Sequence, residues 1–214
     1  MKKYAIIVAG GSGTRMGSKI PKQFLILDNE PIIIRTIRKY IEADPKTQII
    51  AVLPENHFSR WEALKVEFSF ANQIVHAVGG ESRTASVKAG LDTIESDGLV
   101  AIHDAVRPFV EVETIRNSFD SAEKFGSGIA VVKLKDSIRE ILPNKISKAR
   151  DRTSYVLVQT PQTFVVSQIK KAYDKIKNFT YSDDATVFEK AGEKVFLVDG
   201  TYSNIKITTP EDLW

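Results

Sequence analysis

The amino-acid sequence predicts an α/β fold built on a doubly wound, mostly parallel sheet. Three observations support this class: short continuous apolar runs recur along the chain, helical patterns alternate with them, and a glycine-rich turn follows the first run directly. Folds of this kind bind ligands just beyond the carboxyl ends of their strands. We therefore expect the functional residues to follow the apolar runs.

Each predicted strand is a continuous apolar run rich in β-branched residues, which is typical of strands covered on both faces. The first run spans residues 4–8 and leads straight into the glycine-rich turn. Similar runs follow at residues 49–53, 74–78, 99–102, 129–132 and 195–198.

Three amphipathic stripes predict helices between these strands. Isoleucines recur at helical spacing in residues 31–43, whose leading proline suits the first turn of a helix. A second stripe covers residues 87–94, and a third covers residues 112–122, with Gly126 where a helix usually stops. We expect a single domain over residues 1–214.

One segment, residues 133–164, shows no helical stripe. Strand-like pieces at residues 137–142 and 155–158, joined through the turn-forming residues 142–145, predict a β-arm that protrudes from the domain. A protruding hairpin has free edges, which a second copy of the chain commonly covers, so we predict a homodimer built around this arm. The alternative is an edge hairpin that lies flat on its own domain.

The bulk composition excludes several classes of protein. The 30 basic and 27 acidic residues are interspersed and give a net charge of +3, which is too mild for a nucleic-acid-binding protein. The chain has no cysteine, which excludes thiolate zinc sites and cysteine nucleophiles and is compatible with a cytoplasmic location. The sequence contains no run of about 18 apolar residues, so we expect no membrane partner. Small anionic ligands remain compatible.

The glycine-rich turn predicts a phosphate site. Gly10, Gly11 and Gly13 present backbone N–H groups that side chains do not shield, at the carboxyl edge of a parallel sheet. Their spacing matches neither the Walker A motif nor the dinucleotide fingerprint. Arg15 and Lys22 add two cations around one anion, which suits transfer of the α-phosphoryl group of a triphosphate. The alternative is a flexible, solvated loop.

The full pattern of residues 9–17, followed by Pro21-Lys22-Gln23, resembles the signature of the nucleotidyltransferases that activate sugar phosphates with a nucleoside triphosphate. Within them the chain is most similar to the 2-C-methyl-D-erythritol 4-phosphate cytidylyltransferase family. Five further motifs follow in that family's order: Gly79-Gly80-Glu81-Ser82-Arg83, Ser86-Val87, His103-Asp104-Ala105-Val106-Arg107-Pro108, Thr160-Pro161-Gln162 and Asn204-Ile205-Lys206. The resemblance covers nearly the whole chain.

This resemblance implies transfer of a cytidylyl group from CTP to methylerythritol phosphate, with release of pyrophosphate, in non-mevalonate isoprenoid precursor biosynthesis. It implies Mg²⁺ as cofactor and Arg15 and Lys22 as catalytic residues. The expected CTP-binding residues are Ala9, Gly10, Gly11, Gly13, Gly80, Glu81, Ser86 and Ala105. Two alternatives stay open: a cytidylyltransferase acting on ribitol 5-phosphate, and a nucleotide-sensing regulator without turnover.

Asp104 follows an apolar run, so it should emerge at the carboxyl end of a strand, where a carboxylate can bind a substrate hydroxyl or help hold Mg²⁺. The alternatives are a helix cap or an ion pair with Arg107. We expect His103 to be a packed neighbour rather than a catalyst. Lys206 sits in a strand-like alternation that would usually leave it solvated, and the resemblance instead implies that it reaches the substrate phosphate.

Three further residues of the predicted arm have implied roles. The resemblance implies that Arg152 and Thr160 grip the sugar phosphate across the dimer interface, in the partner's active site, and that Arg107 helps to position it. Ser137 stands where the family usually has threonine, and it keeps the hydroxyl. Residues 183–184 precede a helical segment, and we interpret both aspartates as structural, favouring the positive end of the helix.

Overall fold

The computed structural model of the protein describes residues 1–10, 20–176 and 180–213. In chain order the strands are β1 (Lys3–Val8), β2 (Ile26–Leu27), β3 (Glu30–Pro31), β4 (Gln48–Leu53), β5 (Val75–Val78), β6 (Leu99–Asp104), β7 (Ser127–Lys133), β8 (Ile138–Ile141), β9 (Ser147–Arg150), β10 (Val156–Val165) and β11 (Leu197–Asp199). The α-helices are α1 (Ile32–Ala43), α2 (Phe58–Glu67), α3 (Arg83–Asp92), α4 (Val112–Phe125), α5 (Val166–Lys175) and α6 (Asp184–Lys190).

The central sheet has seven strands in the order β11-β7-β10-β6-β1-β4-β5. β1 pairs in parallel with β4 and β6, β4 with β5, and β7 with β11, whereas β10 runs antiparallel between β6 and β7. This arrangement confirms the predicted α/β class with a mostly parallel sheet.

Helices cover both faces of this sheet. Successive residues of a strand point to opposite sides, so strands that are apolar throughout present an apolar surface on each face. Ala5 and Ile7 of β1 pack in a core with residues of α1, α2 and α4. Tyr4 and Ile6 pack in a second core with residues of α3, α5 and α6. The sheet is therefore doubly wound, as predicted.

The predicted helices are confirmed at α1, α3 and α4. Gly126 ends α4 with a φ of 93°, a left-handed conformation that glycine adopts without a steric penalty. The structure adds α2 and α5, which the stripes did not predict. Among the residues that the structure describes, no helix combines the length and apolar character needed to cross a membrane.

The arm differs from the prediction in its pairing. β8 pairs with β9, through a turn at Pro143–Lys145, and not with residues 155–158. Those residues enter β10, which is a central strand of the main sheet. The physical reason is Pro161, which suggests the end of a strand but lies where the β10 register shifts between Val158 and Gln162, so the strand continues past it. Division of the chain into domains stays a prediction.

Candidate active site

The candidate site is a cleft at the carboxyl ends of β1 and β6. Val8 pairs with Asp104 in register, so the segments that leave the two strands start side by side. The Ala105 N–H donates to the Val8 carbonyl at 3.0 Å, which keeps them together. The cleft is lined by Val8, Ala9, Gly10, Lys22, Gln23, Arg83, Asp104, Val106 and Lys206.

A second depression adjoins this cleft and shares Arg83, Asp104 and Lys206 with it. Its other lining residues are Arg107, Val158, Gln159, Thr160, Gln162, Ser182 and Asp183. The shared side chains thus lie between two depressions, a geometry that suits two ligands held next to each other.

One wall of the cleft requires glycine, because main chain approaches the first turn of α3 closely. A Cβ atom at Gly10 would lie 3.1 Å from the Ser86 Oγ, and one at Gly79 would lie 3.0 Å from the same atom. The Ser86 hydroxyl donates to the Ser82 carbonyl at 2.8 Å, which fixes its position. At Gly80 a Cβ would meet the Ala85 Cβ at 2.6 Å. Gly10, Gly80 and Ser86, all three expected to bind CTP, therefore lie side by side, since the Ser86 hydroxyl also lies 3.3 Å from the Gly80 carbonyl oxygen.

A short 3₁₀ helix at Lys22–Phe24 forms the opposite wall. Lys22 is buried, and its Nζ donates to the Ile207 carbonyl at 3.1 Å. The Gln23 Nε2 donates to the Ala9 carbonyl at 2.8 Å. These two bonds hold this wall against the end of β1 and against the carboxyl-terminal segment of the chain.

Asp104 is the electrostatic centre of the cleft. Its Oδ1 lies 3.5 Å from the Arg83 Nε, and its Oδ2 lies 3.3 Å from the Arg107 Nε and 3.0 Å from the Lys206 Nζ. Burial alone would raise the pKa of this carboxyl, but the charges of Arg83, Lys206 and Arg107 outweigh burial and hold the pKa well below its usual range. Asp104 is therefore a carboxylate at neutral pH, and the ion pair with Arg107, which was the alternative to a substrate-binding role, is present.

Behind Asp104 a fully buried carboxylate, Asp184, binds the other end of Arg83. The Arg83 Nη1 and Nη2 donate to its two oxygens at 3.1 and 2.7 Å. Although burial lowers the pKa of Arg83, the charges of Asp184 and Asp104 reverse this and raise it above its ordinary value. The sequence reading of Asp184 as part of a helix end was incomplete, since Asp183 provides the cap by accepting from the Thr186 N–H at 2.8 Å.

His103 is packed into the core, as predicted. Its ring is completely buried, lies edge-on to Tyr40 with ring centroids 5.3 Å apart, and its Nε2 is 3.3 Å from the Arg107 carbonyl oxygen. Burial lowers the pKa of His103 to about 4. The imidazole is therefore neutral near pH 7, and its burial separates it from solvent protons.

Thr160 belongs to β10 and not to the arm, which corrects its predicted position. The hydroxyl accepts from the Asp104 N–H at 3.2 Å, inside the same chain. Asn204 connects this strand with the loop of Arg107: its Nδ2 donates to the Thr160 carbonyl at 2.8 Å, and its own carbonyl accepts from the Arg107 Nη1 at 2.7 Å. Thr160 and Arg107 thus meet beside Asp104.

Lys206 lies in irregular structure between Asn204 and Ile207, so the predicted strand is absent there. Asn204 and Ile207 are fully buried and anchor the segment, whereas the Lys206 side chain is 41% exposed. The lysine therefore reaches Asp104 from the solvent side of the cleft.

The structure does not bring every predicted residue to this cleft. Ser137 and Arg152 are exposed in the arm segment, where the Arg152 Nη1 donates to the Lys135 carbonyl, and within the described ranges neither side chain contacts the cleft. Glu81 is exposed at the start of α3. Arg15, Gly11 and Gly13 lie outside the described residues.

Sequence motifs also missed several residues that build the site. Arg83 stands inside a motif but had no predicted role, and Gln162 stands inside another. The Gln162 Oε1 accepts from the N–H groups of Asp184 and Ala185 at 2.9 and 2.8 Å. Their position inside the quoted motifs was the signal that the sequence offered.

The doubly wound sheet, the glycine-lined wall of the cleft and the cluster of cations around one carboxylate define the class of the protein as a nucleotidyltransferase. The family model of 2-C-methyl-D-erythritol 4-phosphate cytidylyltransferase matches residues 4–214. The chain belongs to this family, and it is an enzyme of CTP-dependent cytidylyl transfer in isoprenoid biosynthesis.

Individual relatives agree with the family match. The chain is 44% identical over 213 residues to the 2-C-methyl-D-erythritol 4-phosphate cytidylyltransferase of Bacteroides thetaiotaomicron, with 100% of this chain and 97% of the relative covered. It is 38% identical to that of Geobacillus kaustophilus, with 100% and 94% covered. Among solved structures, the 4-diphosphocytidyl-2C-methyl-D-erythritol synthase of Anaerococcus prevotii has a TM-score of 0.86 at 29% identity, with 99% and 94% covered.

Proposed function

We propose that the cleft and its adjoining depression bind CTP and 2-C-methyl-D-erythritol 4-phosphate side by side and transfer the cytidylyl group between them. The observation that carries the proposal is the charge of this site. Four cations, Lys22, Arg83, Arg107 and Lys206, face three carboxylates, Asp104, Asp183 and Asp184, in the described part of the site. The excess of positive charge favours phosphate ligands.

The reaction that we propose needs no general base. An oxygen of the acceptor phosphate attacks the α-phosphorus of CTP, the bond from that phosphorus to the bridging oxygen breaks, and pyrophosphate leaves with the electron pair. The acceptor phosphate is already ionised at neutral pH. Asp104 and His103 both have lowered pKa values, so neither would take up a proton near pH 7.

Lys22 and Arg15 are proposed to stabilise the negative charge that develops at the α-phosphorus. The bond from Lys22 to the Ile207 carbonyl orients the ammonium before a ligand arrives. A preorganised cation of this kind commonly supplies about 3 kcal/mol of transition-state stabilisation. The N–H groups at Gly10, Gly11 and Gly13 would hold the triphosphate, and Gly80, Glu81 and Ser86 the nucleoside.

Lys206, Arg107 and Thr160 are proposed to hold the acceptor, with Asp104 as the group that keeps the two cations in place. Support comes from the shared carboxylate oxygen, since the Arg107 Nε and Lys206 Nζ both lie within 3.3 Å of the Asp104 Oδ2. A doubly charged phosphate can approach two cations held this close together.

The cofactor that we propose, Mg²⁺, fits the substrates better than it fits Asp104. Both oxygens of that carboxylate already contact cations, and the described residues contain no cluster of three metal-ligating acidic, histidine or cysteine side chains. We therefore propose that oxygens of the triphosphate hold the ion. Bound there, Mg²⁺ would neutralise part of the phosphate charge.

We also propose that the arm forms a homodimer and that Arg152 and Ser137 act in the partner's site. Large apolar side chains are exposed on and beside the arm: Ile141 is 84% exposed, Ile146 61% and Leu157 53%. Exposed apolar groups at a free hairpin are typical of a protein interface. A cytoplasmic location stays a prediction.

The test is release of pyrophosphate from CTP and Mg²⁺ with one acceptor at a time. We expect rapid release with 2-C-methyl-D-erythritol 4-phosphate and at least a hundredfold lower kcat/KM with ribitol 5-phosphate. Binding of CTP without any pyrophosphate release would instead support a nucleotide-sensing regulator. Equal or faster release with ribitol 5-phosphate would overturn the acceptor assignment.

A further inference from the structure

Asp184 is fully buried behind the cleft, and every polar atom of its carboxylate is engaged. The two oxygens accept from Arg83, and the Oδ1 also accepts from the Tyr173 hydroxyl at 2.6 Å. Burial, followed by the Asp184 charge, raises the pKa of Tyr173, so this hydroxyl keeps its proton and stays a donor. On the main-chain side, the Gln162 Oε1 accepts from the N–H of Asp184. The position of this carboxylate is thus fixed from several directions.

Arg83 links this buried carboxylate to the cleft. Its two Nη atoms bind Asp184 at 3.1 and 2.7 Å, whereas its Nε lies 3.5 Å from the Asp104 Oδ1. The contact with Asp184 is therefore the stronger of the two, because hydrogen bonds weaken as they lengthen. As a result, Arg83 contacts Asp104 only through its Nε, because both Nη groups bind Asp184.

The division of donors has a consequence for Lys206. Because Arg83 takes only the Oδ1 of Asp104, the Oδ2 remains for Arg107 and Lys206. An arginine released from Asp184 would have two Nη groups without a carboxylate, and a guanidinium prefers to bind a carboxylate with two parallel bonds. Arg83 already contacts Asp104, and a bond to each oxygen of that carboxylate would compete with Lys206 for the Oδ2.

We propose that Asp184 is a positioning residue for cytidylyl transfer, which acts by holding Arg83 so that Asp104 can orient Lys206. This inference rests on the proposed function, in which Lys206 binds the acceptor phosphate. Asp184 itself touches no substrate. Its effect passes through Arg83 and Asp104, and it concerns the acceptor more than the nucleotide.

The experiment compares two substitutions, one that changes the charge of the side chain and one that changes its volume. Asp184→Asn keeps the volume of the side chain and removes its charge, whereas Asp184→Glu keeps the charge and adds a methylene to a fully buried site. We expect Asp184→Asn to lower kcat/KM for 2-C-methyl-D-erythritol 4-phosphate about tenfold to a hundredfold, the usual effect of losing a bond to a charged group. The KM for CTP should change less than about threefold.

The comparison with Asp184→Glu separates positioning from packing. If the charge matters, the glutamate variant should retain more acceptor kcat/KM than the asparagine variant. A packing role predicts the reverse order, because asparagine is the better fit in volume. Tyr173→Phe removes one bond to the carboxylate and should lower acceptor kcat/KM by a few-fold. This variant keeps the test usable if Asp184→Asn does not fold.

Two controls complete the design. Ser118→Ala removes a buried hydrogen bond to the Thr163 hydroxyl on another part of the sheet, so it should lower the melting temperature and leave both KM values unchanged. Lys206→Ala tests the proposed function itself. If Lys206→Ala weakens acceptor use and Asp184→Asn stays within threefold of the wild type, the role of Asp184 is overturned alone. If neither variant affects acceptor use, the proposed acceptor site fails with it.

Discussion

Replacing Asp104 by asparagine tests the electrostatic centre of the cleft. The substitution keeps the volume and removes the charge that three cations share, at 3.0 to 3.5 Å. Loss of one partner of a buried ion pair costs about 3–5 kcal/mol. Because the Lys206 side chain is 41% exposed and water compensates part of its loss, we expect the low end, about 3 kcal/mol. For a chain of 214 residues this corresponds to a melting temperature about 6–12 °C lower.

The assay is urea unfolding at several pH values. The pKa of Asp104 is lowered in the folded protein, so its contribution is complete above the ordinary carboxyl pKa of about 4 and is lost as the pH falls through the folded value. The difference in the free energy of unfolding between wild type and Asp104→Asn should therefore be complete at pH 7 and should become smaller in acid. Asp28→Asn is the control, since Asp28 pairs with Arg35 but is 70% exposed and should cost less than about 1 kcal/mol. Equal losses in both variants would refute the reasoning.

Three other predictions concern catalysis, pH and assembly. Lys22→Ala should lower kcat at least about a hundredfold with little change in the KM for CTP, whereas the exposed Lys190→Ala should match the wild type in the same steady-state assay. The pKa of His103 is lowered to about 4 in the folded protein, so on acidification the unfolded chain takes up a proton at a higher pH than the folded protein. The free energy of unfolding should therefore fall from pH 6.5 toward pH 4. His103→Gln should flatten this dependence by up to about 1.4 kcal/mol per pH unit in urea unfolding, and an unchanged slope would contradict the assignment. Ile141→Lys should shift a dimer toward monomer in sedimentation equilibrium, while Val66→Lys, at an equally exposed apolar position on α2, should not.

The sequence was informative where one local pattern determined the structure. Continuous apolar runs identified five of the parallel strands and β7, because strands covered by helices on both faces need no polar residues. The same reasoning found only the start of β10, at residues 155–158, and assigned it to the arm, because Pro161 resembles a strand end. It also missed α2, since only Trp61 and Leu64 of that helix are buried and its stripe is weak.

The candidate site was predictable only as far as motifs reach. The motifs identified Asp104, Arg107, Thr160 and Lys206, and the structure brings these four together. The contact between Arg83 and Asp184 joins residues 101 positions apart, and no local pattern indicates it. A buried aspartate at the start of a helix looks like a cap in sequence, and only the fold shows which carboxylate faces the solvent and which one faces the arginine.

The hydrogen bond from Lys22 to the Ile207 carbonyl spans 185 positions of the chain, and the Asn204 carbonyl likewise serves Arg107 from far along the sequence. Proteins emerge from the ribosome amino terminus first. The strands that carry the glycine turn and Asp104 thus leave the exit tunnel long before the segment that orients their cations. A nascent chain still lacking that segment has no finished phosphate cleft, so cytidylyl transfer must await the synthesis of residues 204–207.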